Sequence, residues 1–201
     1  MRSFFTEQYI EVGVDEVGRG CLAGNVVAAA VVLPKNFSHP TLTDSKQLSE
    51  KERVELESYI KTTALAWAIA EASVEEIDIY NIAGASVLAM HRALDKIFSQ
   101  ITPELILVDG KYFKPYNFVP YQCIIKGDAT FFSIAAASVL AKNYRDAQMR
   151  ILAQEFPQYA WEKNVGYPTP EHQKAIEKYG ISPYHRKTFG ICKKFGQEAR
   201  P

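Results

Sequence analysis

The chain has 201 residues, and its 23 basic and 23 acidic side chains leave a formal net charge of zero, which argues against a tight, non-specific nucleic-acid binder more than against a metal-dependent nuclease. The 47% apolar share suits one domain with a full core, and no apolar run approaches the roughly 18 residues of a membrane helix. The N-terminus lacks the apolar stretch of a signal peptide, and Cys21, Cys123 and Cys192 form no C-x-x-C pair, which leaves reduced thiols in a cytoplasmic, monomeric protein as the expectation.

Residues 9–17 alternate apolar and polar and predict a strand, which Gly18-Arg19-Gly20 ends in a turn. Residues 25–33 predict a second, buried strand stopped by Pro34. Ser49 and Glu52 form a capping box that opens a helix to about residue 60. A third strand is expected over 63–70. A short helix over 73–79 follows, boxed by Ser73 and Glu76, and then a longer amphipathic helix over 81–99. Residues 104–109 and 121–126 predict two more strands, and 129–155 a long helix whose Ala135-Ala136-Ala137 run permits close packing on a sheet. A short helix near 170–179 and a basic tail over 185–194 complete the chain. The order implies an α/β domain with helices on a central mixed sheet.

Three of these strands end at carboxylates. Asp15 and Glu16 close the first, Asp109 closes the fourth, and Asp128 follows the fifth. Functional groups collect at strand ends in open α/β sheets. Carboxylates without a His or Cys pattern suit a hard cation such as Mg2+ or Mn2+, and two such ions about 3.5–4 Å apart recur in phosphodiester cleavage. Turn formation for Asp109 and helix capping for Asp128 remain open at this level. Asp15 and Glu16 are neighbours on one strand and should face opposite sides. Either the chain distorts near Glu16 or the longer side chain reaches round the strand end. Gly18-x-Gly20-x-x-x-Gly24 imitates a dinucleotide-binding loop, but that motif needs a helix next, and the valine-rich sequel is strand-like.

The hexapeptide Asp15–Gly20 resembles the signature of ribonuclease HII, the prokaryotic type 2 ribonuclease H family. Asp44-Ser45-Lys46-Gln47-Leu48 is similar to that family's D-S-K-x-L segment, and Val108-Asp109-Gly110 to its third carboxylate site. Lys126-Gly127-Asp128, the Ala135–Lys142 run and Arg145-Asp146 resemble one further block. Gly166-Tyr167-Pro168-Thr169 with His172 resembles another, and His185-Arg186 with Phe189 a last one. These run in family order over nearly the whole chain.

The resemblance implies a ribonuclease H-like fold, one catalytic domain over 1–201 with a C-terminal helical extension from about residue 160. It implies hydrolysis of RNA in RNA–DNA hybrids and incision 5′ of single ribonucleotides in duplex DNA, leaving 3′-hydroxyl and 5′-phosphate ends. Asp15, Glu16, Asp109 and Asp128 become the catalytic metal ligands, with two ions when substrate is bound. Gly18, Arg19, Gly20 and Tyr167 become sensors of the ribose 2′-hydroxyl, the group that separates RNA from DNA. Ser45, Lys46, Lys142, Arg145, His185 and Arg186 become candidate substrate contacts. Pro168 stands where the family often has Gly, and Thr188 where it usually has Ser. Ribonuclease HIII, another two-metal nuclease such as a junction resolvase, and a non-catalytic nucleic-acid-binding module remain alternatives.

Overall fold

The computed structural model describes residues 1–43, 45 and 48–196. Five strands form one sheet: β1 (Glu11–Val17), β2 (Val26–Val32), β3 (Ala66–Ala72), β4 (Leu105–Asp109) and β5 (Tyr121–Ile124). Their order is β3-β2-β1-β4-β5. The β1–β2 and β2–β3 pairs are antiparallel, whereas β1–β4 and β4–β5 are parallel. The sheet is therefore mixed, and its parallel half brings the C-terminal ends of β1, β4 and β5 to one edge.

Helix α1 (Glu50–Thr63) opens on the Ser49–Glu52 capping box. It persists through Thr63, so β3 begins at Ala66 rather than at residue 63. Helix α2 (Val74–Phe98) opens on the Ser73–Glu76 box and kinks at Asn81, whose φ is 57°. The Asn81 carboxamide oxygen accepts from Ala83 and Gly84 N–H at 2.9 and 3.1 Å and restarts the helix. The two helices expected over 73–79 and 81–99 thus meet at this kink. Helix α3 (Phe132–Glu155) begins three residues later than expected, because Gly127–Ala129 forms a 3-10 turn entered through left-handed Lys126.

The two sheet faces carry different helices. Val12, Val14, Ala28 and Ala30 pack against Met90, Ala93 and Leu94 of α2. Val27, Ala29 and Val31 pack against Ile60 of α1 and Ala136, Val139 and Leu140 of α3. The Ala135–Ala137 run lets α3 sit close on β1. At Gly13 a Cβ would run into the Ser133 and Ile134 backbone, so only glycine allows this approach.

After α3 come a 3-10 turn (Pro157–Tyr159), α4 (Trp161–Asn164), α5 (Pro170–Tyr179), which matches the helix expected near 170–179, and α6 (Cys192–Gly196) within the basic tail. They gather around buried Trp161 and Ile176 and pack on Met149 of α3 and Leu22 of the β1–β2 loop. That contact holds the C-terminal segments against the end of β1.

Candidate active site

A cleft of about 580 Å3 opens where β1 and β4 end, and Asp15, Glu16, Asp109 and Asp128 all line it. Asp15 projects toward α3 and Glu16 toward the α2 face. The β1–β2 pairing continues unbroken through Val17, so the backbone does not distort. Glu16 instead reaches round the strand end, where its Oε1 accepts from Arg19 Nη1 at 3.0 Å.

Asp15, Glu16 and Asp109 are each held by a nearby donor. Asp15 Oδ1 accepts the Glu16 N–H at 2.7 Å, and Asp109 Oδ1 accepts the Gly127 N–H at 2.7 Å. The latter bond ties the end of β4 to the turn that carries Asp128. Asp128 lies within that turn, and Phe131 occupies the N-cap of α3, so Asp128 does not cap the helix.

Burial pushes the Asp15 carboxyl well above the usual carboxylate range, and the charges of Glu16 and Asp109 push it further. Burial also raises Glu16, against the opposing pull of Arg19. Among the described residues Asp15 and Asp109 have no ion pair. A buried cluster of like charges with oxygen donors only is the chemistry a hard divalent cation relieves, so the donor set fits such an ion. No three carboxylates among the described residues already form a closed ligand cage.

The rest of the cleft lining is built differently. The Gly18–Gly20 loop, Ser45, Ser138, Arg53, Lys142 and Tyr167 belong to it. Ser45 and Ser138 share a hydrogen bond of 2.8 Å, and the Ser138 hydroxyl also bonds Asp15. Lys142 Nζ and Arg53 Nη2 both hold Asp146, at 2.7 and 3.3 Å, which fixes two cations at the cleft rim. Arg53 escaped the sequence reading, since it sits in an ordinary charged helix and meets the cleft only through α1 packing on α3. Ser138, which as a small residue of the Ala135–Lys142 run reads as a packing position, lines the cleft instead. Lys46 lies outside the described residues.

Three expected substrate contacts sit behind the wall rather than on it. Arg145, His185 and Arg186 are buried, with His185 and Arg186 at 0% exposure, and none lines the cleft. Direct contact with a phosphate is therefore not how they can act. Arg186 donates to the Gly18, Arg19 and Gly24 carbonyls at 2.6–3.0 Å. Arg145 donates to Ala23, Asn25 and Val165 carbonyls at 2.8–3.1 Å, bridging the β1–β2 loop to the strip before Tyr167. Gly18, at φ 92°, leaves no room for a Cβ beside the Arg145 guanidinium. Leu22 N–H completes the join at the Gly166 carbonyl, 2.7 Å away. Tyr167 is 37% exposed over the cleft, and burial followed by Cys21 raises its hydroxyl pKa.

Residues 12–192 match the family model for ribonuclease HII. The chain belongs to the ribonuclease HII family. It is 54% identical over 188 residues to a ribonuclease HII of Bacteroides fragilis, across 94% of this chain and 92% of the relative. Membership makes it an enzyme, an endoribonuclease of the ribonuclease H kind. Its fold is similar to that of the crystal structure of ribonuclease H2 from Pyrococcus horikoshii OT3, with a TM-score of 0.76 and 24% identity across 94% of this chain and 97% of the other. It is also similar in fold to Bst-RNase HIII in complex with Mn2+, with a TM-score of 0.70 and 20% identity across 94% of this chain and 70% of that one. No helix among the described residues is long and apolar enough to cross a membrane.

Proposed function

We propose that this enzyme hydrolyses the RNA strand of RNA–DNA hybrids and incises duplex DNA 5′ of an embedded ribonucleotide, leaving 3′-hydroxyl and 5′-phosphate ends. One observation carries the reading: four carboxylates and the Gly18–Gly20 loop with Tyr167 line one cleft. The first group can hold cations, and the second can test the sugar beside the bond to be cut.

Asp15, Glu16, Asp109 and Asp128 would hold divalent cations, Mg2+ or Mn2+, with two ions when substrate is bound. Bound there, such ions would supply water activation and charge neutralisation at the leaving oxygen. The protein's own groups do the choosing. Glycine at 18 and 20 lets the main chain approach a ribose closely, and the Tyr167 hydroxyl can bond a 2′-hydroxyl while its ring packs on the sugar or base. Arg53 and Lys142, fixed by Asp146, offer two cations to flanking phosphates. Arg19, half exposed beside Glu16, can exchange that carboxylate for a phosphate when a cation takes Glu16. Residues 1–201 act as one catalytic domain, whose segments from about residue 160 supply Tyr167.

The test is cleavage of matched duplexes carrying no, one and four ribonucleotides, with and without Mg2+ or Mn2+. Incision 5′ of the single ribonucleotide, dependent on the metal, is expected. An intact single-ribonucleotide duplex beside a cut four-ribonucleotide duplex would favour a ribonuclease HIII-like preference instead.

A further inference from the structure

We infer that His172, backed by His185, is a positioning residue that aims Tyr167 through a directional hydrogen-bond chain ending on the Tyr167 carbonyl. The inference rests on the proposed role of Tyr167 as the sugar-sensing side chain.

Neither imidazole reaches the cleft, and both are fully buried. Burying two neutral imidazoles costs more than burying two leucines unless every polar atom finds a partner. Here every ring nitrogen does. Ser182 N–H donates to His185 Nδ1 at 2.9 Å, and a backbone N–H can only donate. His185 therefore carries its proton on Nε2. That atom lies 3.0 Å from His172 Nε2. Trp161 Nε1, which also can only donate, points at the same His172 nitrogen at 3.0 Å. His172 Nε2 is therefore bare, and the proton sits on Nδ1. It is aimed at the Tyr167 carbonyl, 2.9 Å away, which can only accept. The donor fixed at one end and the acceptor fixed at the other fit this pair of tautomers, with Trp161 and His185 sharing the single lone pair of His172 Nε2.

The receiving peptide is unusual. The Tyr167–Pro168 bond has no N–H, so its carbonyl is the one polar handle by which it can be held. His172 Nδ1 and the Thr169 N–H, at 2.8 Å, occupy that handle. On its other side Tyr167 N–H donates to the Asn164 carbonyl at 2.8 Å, after Gly166 at φ 85°. Gly166 turns the chain ahead of Tyr167, and Pro168 confines Tyr167 itself to extended backbone, so the His172 bond fixes the tilt of a peptide whose fold is already narrowed. His172 is the third residue of α5, tied by its own N–H to the Thr169 hydroxyl at 3.2 Å. The chain thus couples a helix start to the tyrosine that overhangs the cleft.

Asparagine and glutamine separate a relay from mere packing. An asparagine amide falls near imidazole Nδ1 and can still donate to the Tyr167 carbonyl. A glutamine amide falls near Nε2 and can still accept from Trp161. His172→Asn and His172→Gln, each alone and each combined with Tyr167→Ala, are assayed on a duplex carrying one ribonucleotide. We expect His172→Gln to cut at least about tenfold more slowly than His172→Asn, since one oriented hydrogen bond is at stake. In the Tyr167→Ala background that difference should collapse to less than about twofold, as a double-mutant cycle requires of coupled residues. Equal rates for the Asn and Gln variants overturn the relay, and so does an undiminished difference when Tyr167 is absent. If Tyr167→Ala alone cuts like wild type, the role assigned to Tyr167 fails first and the relay with it.

Discussion

Arg186 donates to the Gly18 carbonyl at 2.6 Å from the interior side, opposite the face that Gly18 shows to the cleft. The same guanidinium holds Arg19 and Gly24 carbonyls, so one buried side chain sets the curvature of the loop. Burial lowers its pKa to about 10, which leaves it charged at neutral pH. Carbonyl oxygens at hydrogen-bond distance balance that charge, helped by the more distant Asp78 carboxylate.

Arg186→Lys should therefore be a severe change. Lysine has no planar fork to serve three carbonyls, and charge-assisted hydrogen bonds contribute about 1.5–3 kcal/mol each in typical series. We expect a lower thermal midpoint together with at least about a tenfold loss in single-ribonucleotide incision. Thermal unfolding and initial rates on the same preparation check both. A variant that melts like wild type and cuts like it would remove Arg186 from loop support.

Asp15→Asn should separate stability from activity. The wild-type carboxylate is buried beside Glu16 and Asp109, and removing its charge relieves that repulsion. Thermal denaturation without divalent metal should show a midpoint at or above wild type. Cleavage should fall by about 100-fold or more, since a ligand to the cation is gone. Asp109→Asn should lose activity to a similar degree.

Divalent metal should stabilise the wild-type protein against unfolding, because an ion that binds only the folded state shifts the equilibrium by mass action. The rise in melting temperature on adding Mn2+ should shrink in Asp15→Asn. An identical rise in both proteins would mean that the stabilising ion sits elsewhere.

Acid should destabilise the fold through the buried histidines. Burial and the neighbouring His172 push the His185 pKa from 6.5 to about 3, and burial lowers His172 as well. Tyr159, at a ring-centroid distance of 4.7 Å, and Trp161, at 5.3 Å, enclose His185 without offering a counter-charge. The unfolded chain takes up a proton below pH 6.5 that the folded chain refuses. The associated stability is thus complete above that pH and is lost as pH falls toward about 3. Urea midpoints at neutral and mildly acidic pH should diverge more in wild type than in His185→Gln.

Gly13→Ala tests the closeness of α3 to β1. The added methyl meets the Ser133 and Ile134 backbone, which cannot rotate away. Overpacking of this kind costs about 1–3 kcal/mol, and chemical denaturation would read it directly.

Much of this architecture could be read from the residues. Capping boxes at Ser49 and Ser73 marked two helix starts correctly, because they are local chemistry. Alternation and strand-end position singled out Asp15, Glu16, Asp109 and Asp128, which the fold brings to one cleft. What could not be read depended on neighbours distant in sequence. Arg53 reaches the cleft only because α1 lies on α3. His185 and Arg186 belong to a motif that looks like an outer basic patch, yet the fold turns both inward to hold backbone. The onset of α3 was misplaced because Lys126 adopts a left-handed conformation that its residue type does not announce.

The parallel pairing of β1 with β4 has a consequence in time as well as in space. Ile10 and Glu104, at the foot of that pair, are 94 residues apart in sequence, and α3 and the Tyr167 segment emerge later still. Pairing at such separation forms slowly, because a long loop must close before the contact rewards it. A growing chain therefore carries Asp15 and Glu16 apart from Asp109 and Asp128 until the segments that hold the latter two have been made. The cleft is thus complete only after the Tyr167 segment has been made.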